Sequence, residues 1–400
     1  MPALNPRKWA PFFESRDAAS LVAELRAAGS VGWEAGRERL GGGTLLTCAV
    51  AEGWAAGCEA LLAHCDPDAR DEDGDTALMV AIKTSEAECA LALAGFGDPD
   101  APDAHGDAPI HLALRNGMLG VARALMVRCD LGVLCAEGSS PLSMAIEEED
   151  DEIGAELARA SPPSALRLQG QDGDEPLAAA LKRGMSSTAC EIALRAGPDG
   201  CSARDGEGEP PLALALEVGQ WSCAELLAKL ADPDQLDLDG DLPLVCALRA
   251  KSDACLKTLA ERARGEALDV EGASCLENAW AAGRSDLALD LARRMGPRGA
   301  GRAELSRAVG GAVRVGDGAC LAELSRAAGA EALRIAGARA SSAIAASALS
   351  HLARAMDEGE ASDEVLASRC LALARAEAAA KAGAKSEERP RGWIERVFGG

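Results

Sequence analysis

Tyrosine is absent from the 400-residue chain, and with four Phe and six Trp the aromatics reach only 2%. A core built around large rings is thereby excluded, and the 48% of apolar residues must pack mainly as Ala and Leu. Small side chains let helices approach closely but bury little area each, so many thin, repeated layers suit this composition better than one thick core. Positive charge is also short, with 41 Lys+Arg against 64 Asp+Glu and a net charge of -23. That excludes a general nucleic-acid binder, because phosphate affinity needs clustered cations. Residues 1–290 carry -27 of this and residues 291–400 carry +4. No apolar run approaches a membrane span. The start, MPALNPRKWAPFFESRD, meets acids at Glu14 and Asp17 and does not read as a secretion signal. Fourteen Cys are scattered without a CxxC pair, which fits a reducing compartment, cytoplasmic or nuclear.

What is present is a period. A glycine followed four residues later by Leu or Ile recurs at Gly42, Gly74, Gly106, Gly138, Gly173, Gly208, Gly240, Gly272 and Gly301, at spacings of 29 to 35 residues. The position seven after the glycine is Ala in every case: Ala49, Ala81, Ala113, Ala145, Ala180, Ala215, Ala247, Ala279 and Ala308. A residue there must be small. Apolar pairs at +15 and +19, such as Val121 and Leu125, predict a second helix. Between the helical patches a glycine often falls at +11 (Gly53, Gly117, Gly184, Gly219, Gly283), which suits the turn of an αα-hairpin. After the second helix come acidic, turn-rich strings such as DPDARDEDGD, Asp66 to Asp75, which predict an extended hairpin leading to the next unit.

With these registers laid out, the chain resembles the ankyrin repeat family. The best match is GDAPIHLALRNGMLGVARALM, Gly106 to Met126, and GDTALMVAI at Gly74, GSSPLSMAI at Gly138, GEPPLALALEVG at Gly208 and GDLPLVCAL at Gly240 keep parts of it. His111 alone keeps the family's turn histidine. The fold expected is an all-α solenoid of stacked helix-turn-helix units with protruding hairpin loops and helical caps. The domain organisation expected is an N-terminal capping segment at 1–39, nine repeats at 40–328, a degenerate repeat and capping helix at 329–385, and a flexible apolar tail at 386–400.

Chemistry finds little support. His64, His105, His111 and His351 are the only histidines, and neither a Walker A sequence nor GxGxxG is present. Cys89, Cys223, Cys255 and Cys320 share the +15 position, and Cys48 and Cys246 share +6, so they read as small buried hydrophobes rather than metal ligands. The DxDGD strings lack the acid spacing of an EF-hand. No catalytic residue, cofactor or metal is therefore expected. The acidic tips of adjacent units would instead sum their potential along one edge. The residues expected to bind a partner protein with a basic surface are Asp71, Asp73, Asp75, Asp103, Asp107, Asp237, Asp239 and Asp241, with solubility alone as the competing explanation. The run EEEDDE, Glu147 to Glu152, reads as a solvated inter-helix turn. Trp54 and Trp221 occupy corresponding turns as contacts or as packing, and Trp280 reads as core. In the tail, Trp393, Ile394, Val397 and Phe398 would form one apolar face on a helix, a second protein-binding candidate.

The function expected is a non-enzymatic interaction scaffold or adaptor. The alternatives are the targeting subunit of a ubiquitin ligase or phosphatase complex, and a permanent structural component anchored through the tail. The sequence leaves partner identity and oligomeric state open.

Overall fold

In the computed structural model the residues described are 6–27, 43–170, 173–264, most of 267–291, 318–338 and 343–357, with isolated positions 309, 368, 369 and 372. The tail with Trp393, Ile394, Val397 and Phe398, the part of the segment 329–385 beyond residue 357 apart from Ser368, Arg369 and Ala372, the glycine, leucine and alanine of the ninth repeat, and the side chains of Trp280 and Cys320 lie outside them. By compactness the chain divides into two units, Met1–Gly200 and Cys201–Gly400, a boundary inside the stretch 40–328.

The first unit opens with α1 (Pro6–Ser15) and α2 (Ala18–Ala27). Helix pairs follow: α3 (Leu45–Ala51) and α4 (Ala55–Leu62), α5 (Ala77–Lys83) and α6 (Ala87–Leu93), α7 (Pro109–Arg115) and α8 (Leu119–Met126), α9 (Pro141–Glu147) and α10 (Asp151–Ala160). A fifth pair is α11 (Pro176–Lys182) and α12 (Ser186–Cys201), the latter broken at Gly197. In the second unit stand α13 (Pro211–Val218) with α14 (Trp221–Leu230), α15 (Pro243–Ala250) with α16 (Asp253–Arg262), and α17 (Cys275–Ala281). There too α18 (Gly318–Ala338), kinked at Gly329, packs on α19 (Ala343–Asp357).

Each first helix is started by local chemistry. Thr44, Thr76 and Ser140 accept the N–H three residues on, satisfying one of the free donors of the first turn. In α7, α9, α11, α13 and α15 a proline takes the first helical position, where its missing N–H costs nothing. The ends are as regular. The N–H at +12 returns to the carbonyl of the +7 alanine in all eight described units, as in Met118 to Ala113 at 2.8 Å and Gln220 to Ala215 at 2.9 Å. This Schellman bond needs a left-handed residue at +11, and Gly53, Gly117, Gly184, Gly219 and Gly283 supply it. Ser85, Glu149 and Lys251 hold the same φ, 62°, 58° and 58°, without that freedom.

The stacking rule is simple: first helix on first helix, second on second. In unit one, α3 packs on α5, α5 on α7, α7 on α9 and α9 on α11, while α4 packs on α6, α6 on α8 and α8 on α10. In unit two, α13 packs on α15, α15 on α17 and α14 on α16. The described +7 alanines are all buried, Ala113, Ala180 and Ala247 fully, which is why the position admits nothing larger. The +4 Leu or Ile beside them is buried as well, each burial worth roughly 1.5–3 kcal/mol. At the N-terminal end α2 lies on α4, with Leu21 fully buried, and Phe13 meets Trp54 edge to face at 5.9 Å. Trp54 is therefore packing; Trp221 in the corresponding turn is 47% exposed.

Where an extended hairpin was expected between units, the described residues instead form a tight turn of one design. The residue three before the glycine donates its N–H to the carbonyl one after it, Asp71 to Asp75, Asp103 to Asp107, Asp205 to Glu209 and Asp237 to Asp241, at 2.9–3.0 Å. The glycine bonds back, with φ of 86° at Gly74 and 99° at Gly106. Leu268 with Ser274 forms an isolated antiparallel bridge, and Gly43 also holds a bridge position.

Candidate functional site

The turns and the first helices beside them were the expected binding surface. Their acids divide into two sets by position. Three residues before the glycine, Asp71 and Asp103 turn a side-chain oxygen inward to accept the N–H groups of residues two and four further on: Asp73 and Asp75 for the first, His105 and Asp107 for the second, at 2.9–3.1 Å. Asp205 repeats the device with the N–H groups of Glu207 and Glu209, and Asp237 accepts the N–H of Asp241. One residue after the glycine, Asp75 bonds Lys83 at 2.7 Å, Asp107 bonds Arg115 at 2.6 Å, and Asp241 pairs with Arg249. Lys83 also reaches Asp103 at 3.0 Å, tying one turn to the next.

Of the eight predicted acids, then, Asp75, Asp103 and Asp107 are buried, Asp71, Asp237 and Asp241 are half-buried and committed to the turns, and Asp73 and Asp239 are exposed. Burial works to raise the carboxyls of Asp103 and Asp107. Lys83 with two N–H groups on the first, and the Ala136 N–H with Arg115 on the second, outweigh it and hold both below the usual carboxylate value.

The exposed acids share a register that the sequence reading overlooked, the residue directly before the glycine. Asp73 and Glu137 occupy it in unit one, and Glu207 and Asp239 in unit two, with His105 as the exception. Their common offset from the repeat glycine was the available signal. Acids in the strings Asp66–Pro67–Asp68 and Asp232–Pro233–Asp234 work differently: Asp68 accepts the Asp98 N–H at 2.7 Å and Asp234 the Arg264 N–H at 3.0 Å, each clasping the following repeat. In the run at Glu147 to Glu152, Asp150 caps α10 and Asp151 accepts the N–H groups of Ser187 and Thr188.

A metal has no fitting home among the described residues. Asp107, Cys135 and Glu137 bring ligand atoms together, but Arg115 already lies against both carboxylates, at 2.6 and 3.0 Å. The Cys135 sulfur accepts the Ser139 N–H, and burial pushes its thiol up. Other thiols fare likewise: burial pushes Cys65, Cys129 and Cys275 up to about 12 and Cys201 to about 11. Cys89, Cys223, Cys255 and Cys246 are buried at their repeat positions, while Cys48 is half-buried. His111 is fully buried, accepts the Ala108 N–H at 3.3 Å, and is driven toward its neutral form by burial. It closes a turn rather than facing solvent as a base.

Residues 46–133 match the family of ankyrin repeats, three copies. That stretch consists of ankyrin repeats, and the fold is the all-α repeat solenoid of that class. Among solved structures, the ankyrin repeat domain of Bcl-3, an IκB protein family member, is 22% identical, with a TM-score of 0.41, over 51% of this chain and 91% of that one. An ankyrin repeat domain from Acinetobacter baumannii AYE is 26% identical, with a TM-score of 0.33, over 54% of this chain and 95% of that one. No curated protein matches the chain. Ankyrin repeats are protein–protein interaction modules. Among the described residues no helix is long and apolar enough to cross a membrane.

Proposed function

We propose that this protein is a non-catalytic scaffold or adaptor that holds a partner protein with a basic surface against its turn tips and first helices. The observation that carries the reading is the division of the acids. Those at two turn positions are spent on the fold, whereas Asp73, Glu207 and Asp239 project at one register and leave their charge to the outside. In the second unit Glu207 and Asp239 stand on neighbouring turns and sum their potential. A rigid surface of this kind loses little conformational entropy on binding. The buried thiols suit a reducing compartment, the cytoplasm or the nucleus.

The test is affinity capture from native extract with the full chain and with the Asp73→Lys/Asp239→Lys double variant, each at low and high salt. Stoichiometric capture that weakens with salt and with the double variant supports the proposal. Capture indifferent to both removes it. A truncated chain ending at Lys385 separates this surface from the second candidate, the tail at Trp393, Ile394, Val397 and Phe398, because loss on truncation alone assigns binding to the tail.

A further inference from the structure

Four repeats place a carboxylate and a cation at the same two positions. One residue after the repeat glycine stands Asp75, Asp107, Asp174 or Asp241, and eight residues later stands Lys83, Arg115, Lys182 or Arg249. The first three pairs close at 2.6–2.8 Å, and Arg249 bonds Asp241 likewise. Lys83 shows the full arrangement, its ammonium seated between Asp75 of its own turn and Asp103 of the next.

The repeat that opens at Gly208 keeps the carboxylates and loses the cation. Its two positions are Glu209 and Glu217, and the residue equivalent to Asp103 is Asp237. Burial raises the Glu209 carboxyl, and the charges of Asp237, Glu217 and Asp205 raise it further against the lowering effect of the Leu238 N–H. The hydrogen bonds that reach them come from neutral groups, the Leu238 N–H donating to Glu209 Oε2 at 3.0 Å and the Cys246 thiol to Asp237 Oδ2 at 3.2 Å, and the one cation whose charge Asp237 feels among these lining residues is Arg249. Arg249 lines the same space but is held by Asp241. Beside the carboxylates runs an open groove of about 560 Å³ whose apolar wall includes Ala213, Leu216, Leu238 and Ala250. Leu238 is 56% exposed.

We propose that this groove in the second unit receives a lysine or arginine side chain of the partner protein. Its cationic head lies between Glu209, Asp237 and Glu217, as the Lys83 ammonium lies between Asp75 and Asp103, and the aliphatic residues next to it lie on Leu238 and Ala213. The inference rests on the reading of a basic partner and adds the place where that partner is anchored. The occupant is an organic cation because the seat is one that this chain itself fills with Lys or Arg in four other repeats. The groove also offers apolar wall, which an ammonium or guanidinium on a carbon stem uses and a bare ion does not.

The test uses the full chain and a fluorescein-labelled nonapeptide with one arginine among alanine and leucine residues, together with its lysine and glutamine counterparts, read by fluorescence anisotropy. The arginine and lysine peptides should bind at least about tenfold more tightly than the glutamine peptide. Glu217→Lys, which supplies the missing cation from within, should erase that preference while far-UV circular dichroism stays unchanged. Glu261→Lys, the same charge change at an exposed position of α16, should leave it intact. Equal binding of the arginine and glutamine peptides, retention of the preference in Glu217→Lys, or an equal loss in Glu261→Lys would each overturn the proposal. The two readings fail separately: a partner lost from Asp73→Lys/Asp239→Lys but kept by Glu217→Lys removes the groove alone.

Discussion

The left-handed residue after each first helix gives the sharpest test of the repeat geometry. At this position Ser85, Glu149 and Lys251 stand with φ of 62°, 58° and 58°, whereas the sister repeats use glycine. All three side chains are exposed, so replacing them removes no packing. An L-residue in this region costs roughly 1–2 kcal/mol of local backbone energy, and part of the relief from glycine is returned as the extra freedom it gives the unfolded chain. Each of Ser85→Gly, Glu149→Gly and Lys251→Gly should therefore stabilise its unit by about 0.5–1 kcal/mol. Ser85 and Glu149 lie in separate repeats of unit one, so their double variant should sum to about 1–2 kcal/mol. The mirror experiment is Gly117→Ala. A Cβ there meets nothing within 4 Å, so the change tests backbone alone and should destabilise by about 1 kcal/mol. Urea unfolding of the full chain followed by circular dichroism reads these as midpoint shifts at constant slope. If the three glycine variants lower the midpoint while Gly117→Ala leaves it in place, the left-handed turn is not what ends these helices and the Schellman bond does not set their length.

Ala113→Leu, forcing a branched side chain into a fully buried position of α7 between two packed helices, should cost about 1–3 kcal/mol and raise protease susceptibility, checked by limited proteolysis and urea midpoint. The carboxyls of Asp103 and Asp107 lie below their ordinary value in the folded chain, so the unfolded chain binds more protons. Stability from them is fully present above the unfolded value near 3.8 and is lost as pH falls through the lower folded values, and Asp103→Asn should flatten the acid limb of a melting-temperature profile. Glu209 is raised and carries the opposite sign. Its ionisation in the fold opposes stability above about pH 4.5, so Glu209→Gln should raise the melting temperature at neutral pH and lose that advantage in acid. Arg128→Ala removes the guanidinium that caps the carbonyls of Ala94 and Gly97 in the preceding repeat and should cost about 1–2 kcal/mol, visible as a lower urea midpoint.

Most of the fold was legible because its constraints are local and recur. The alanine at +7 records a buried position and the anchor of the terminal bond in one residue, so it appears as a column in the sequence. The turn glycines record positive φ in the same way. The turns themselves were less legible. An acid beside a glycine reads as a solvated loop, and whether its oxygen faces water or its own backbone depends on side-chain direction, which composition does not carry. Asp103 and Asp107 look in sequence like Asp73, yet they are buried and bonded while Asp73 is exposed.

One signal would have separated them: the pairing of positions. A carboxylate one after the glycine and a cation eight residues later, Asp75 with Lys83, Asp107 with Arg115, Asp174 with Lys182, Asp241 with Arg249, describes an ion pair that fastens a turn to the first helix that follows it. Side chains that keep such a register across repeats serve the stack, since the same mechanical problem recurs at every layer. Binding to one particular partner is not a recurring problem, and the residues that solve it should break the register at one place. Glu217 does this with a like charge beside it: Glu147 also stands where four repeats carry Lys or Arg, but it accepts the Ser139 hydroxyl, whereas Glu217 stands beside the carboxylate of Glu209. In a repeat fold a column of bonded side chains therefore reports on stability, an exposed column such as Asp73, Glu207 and Asp239 supplies general charge, and the exception to a bonded column is where specificity should be sought first.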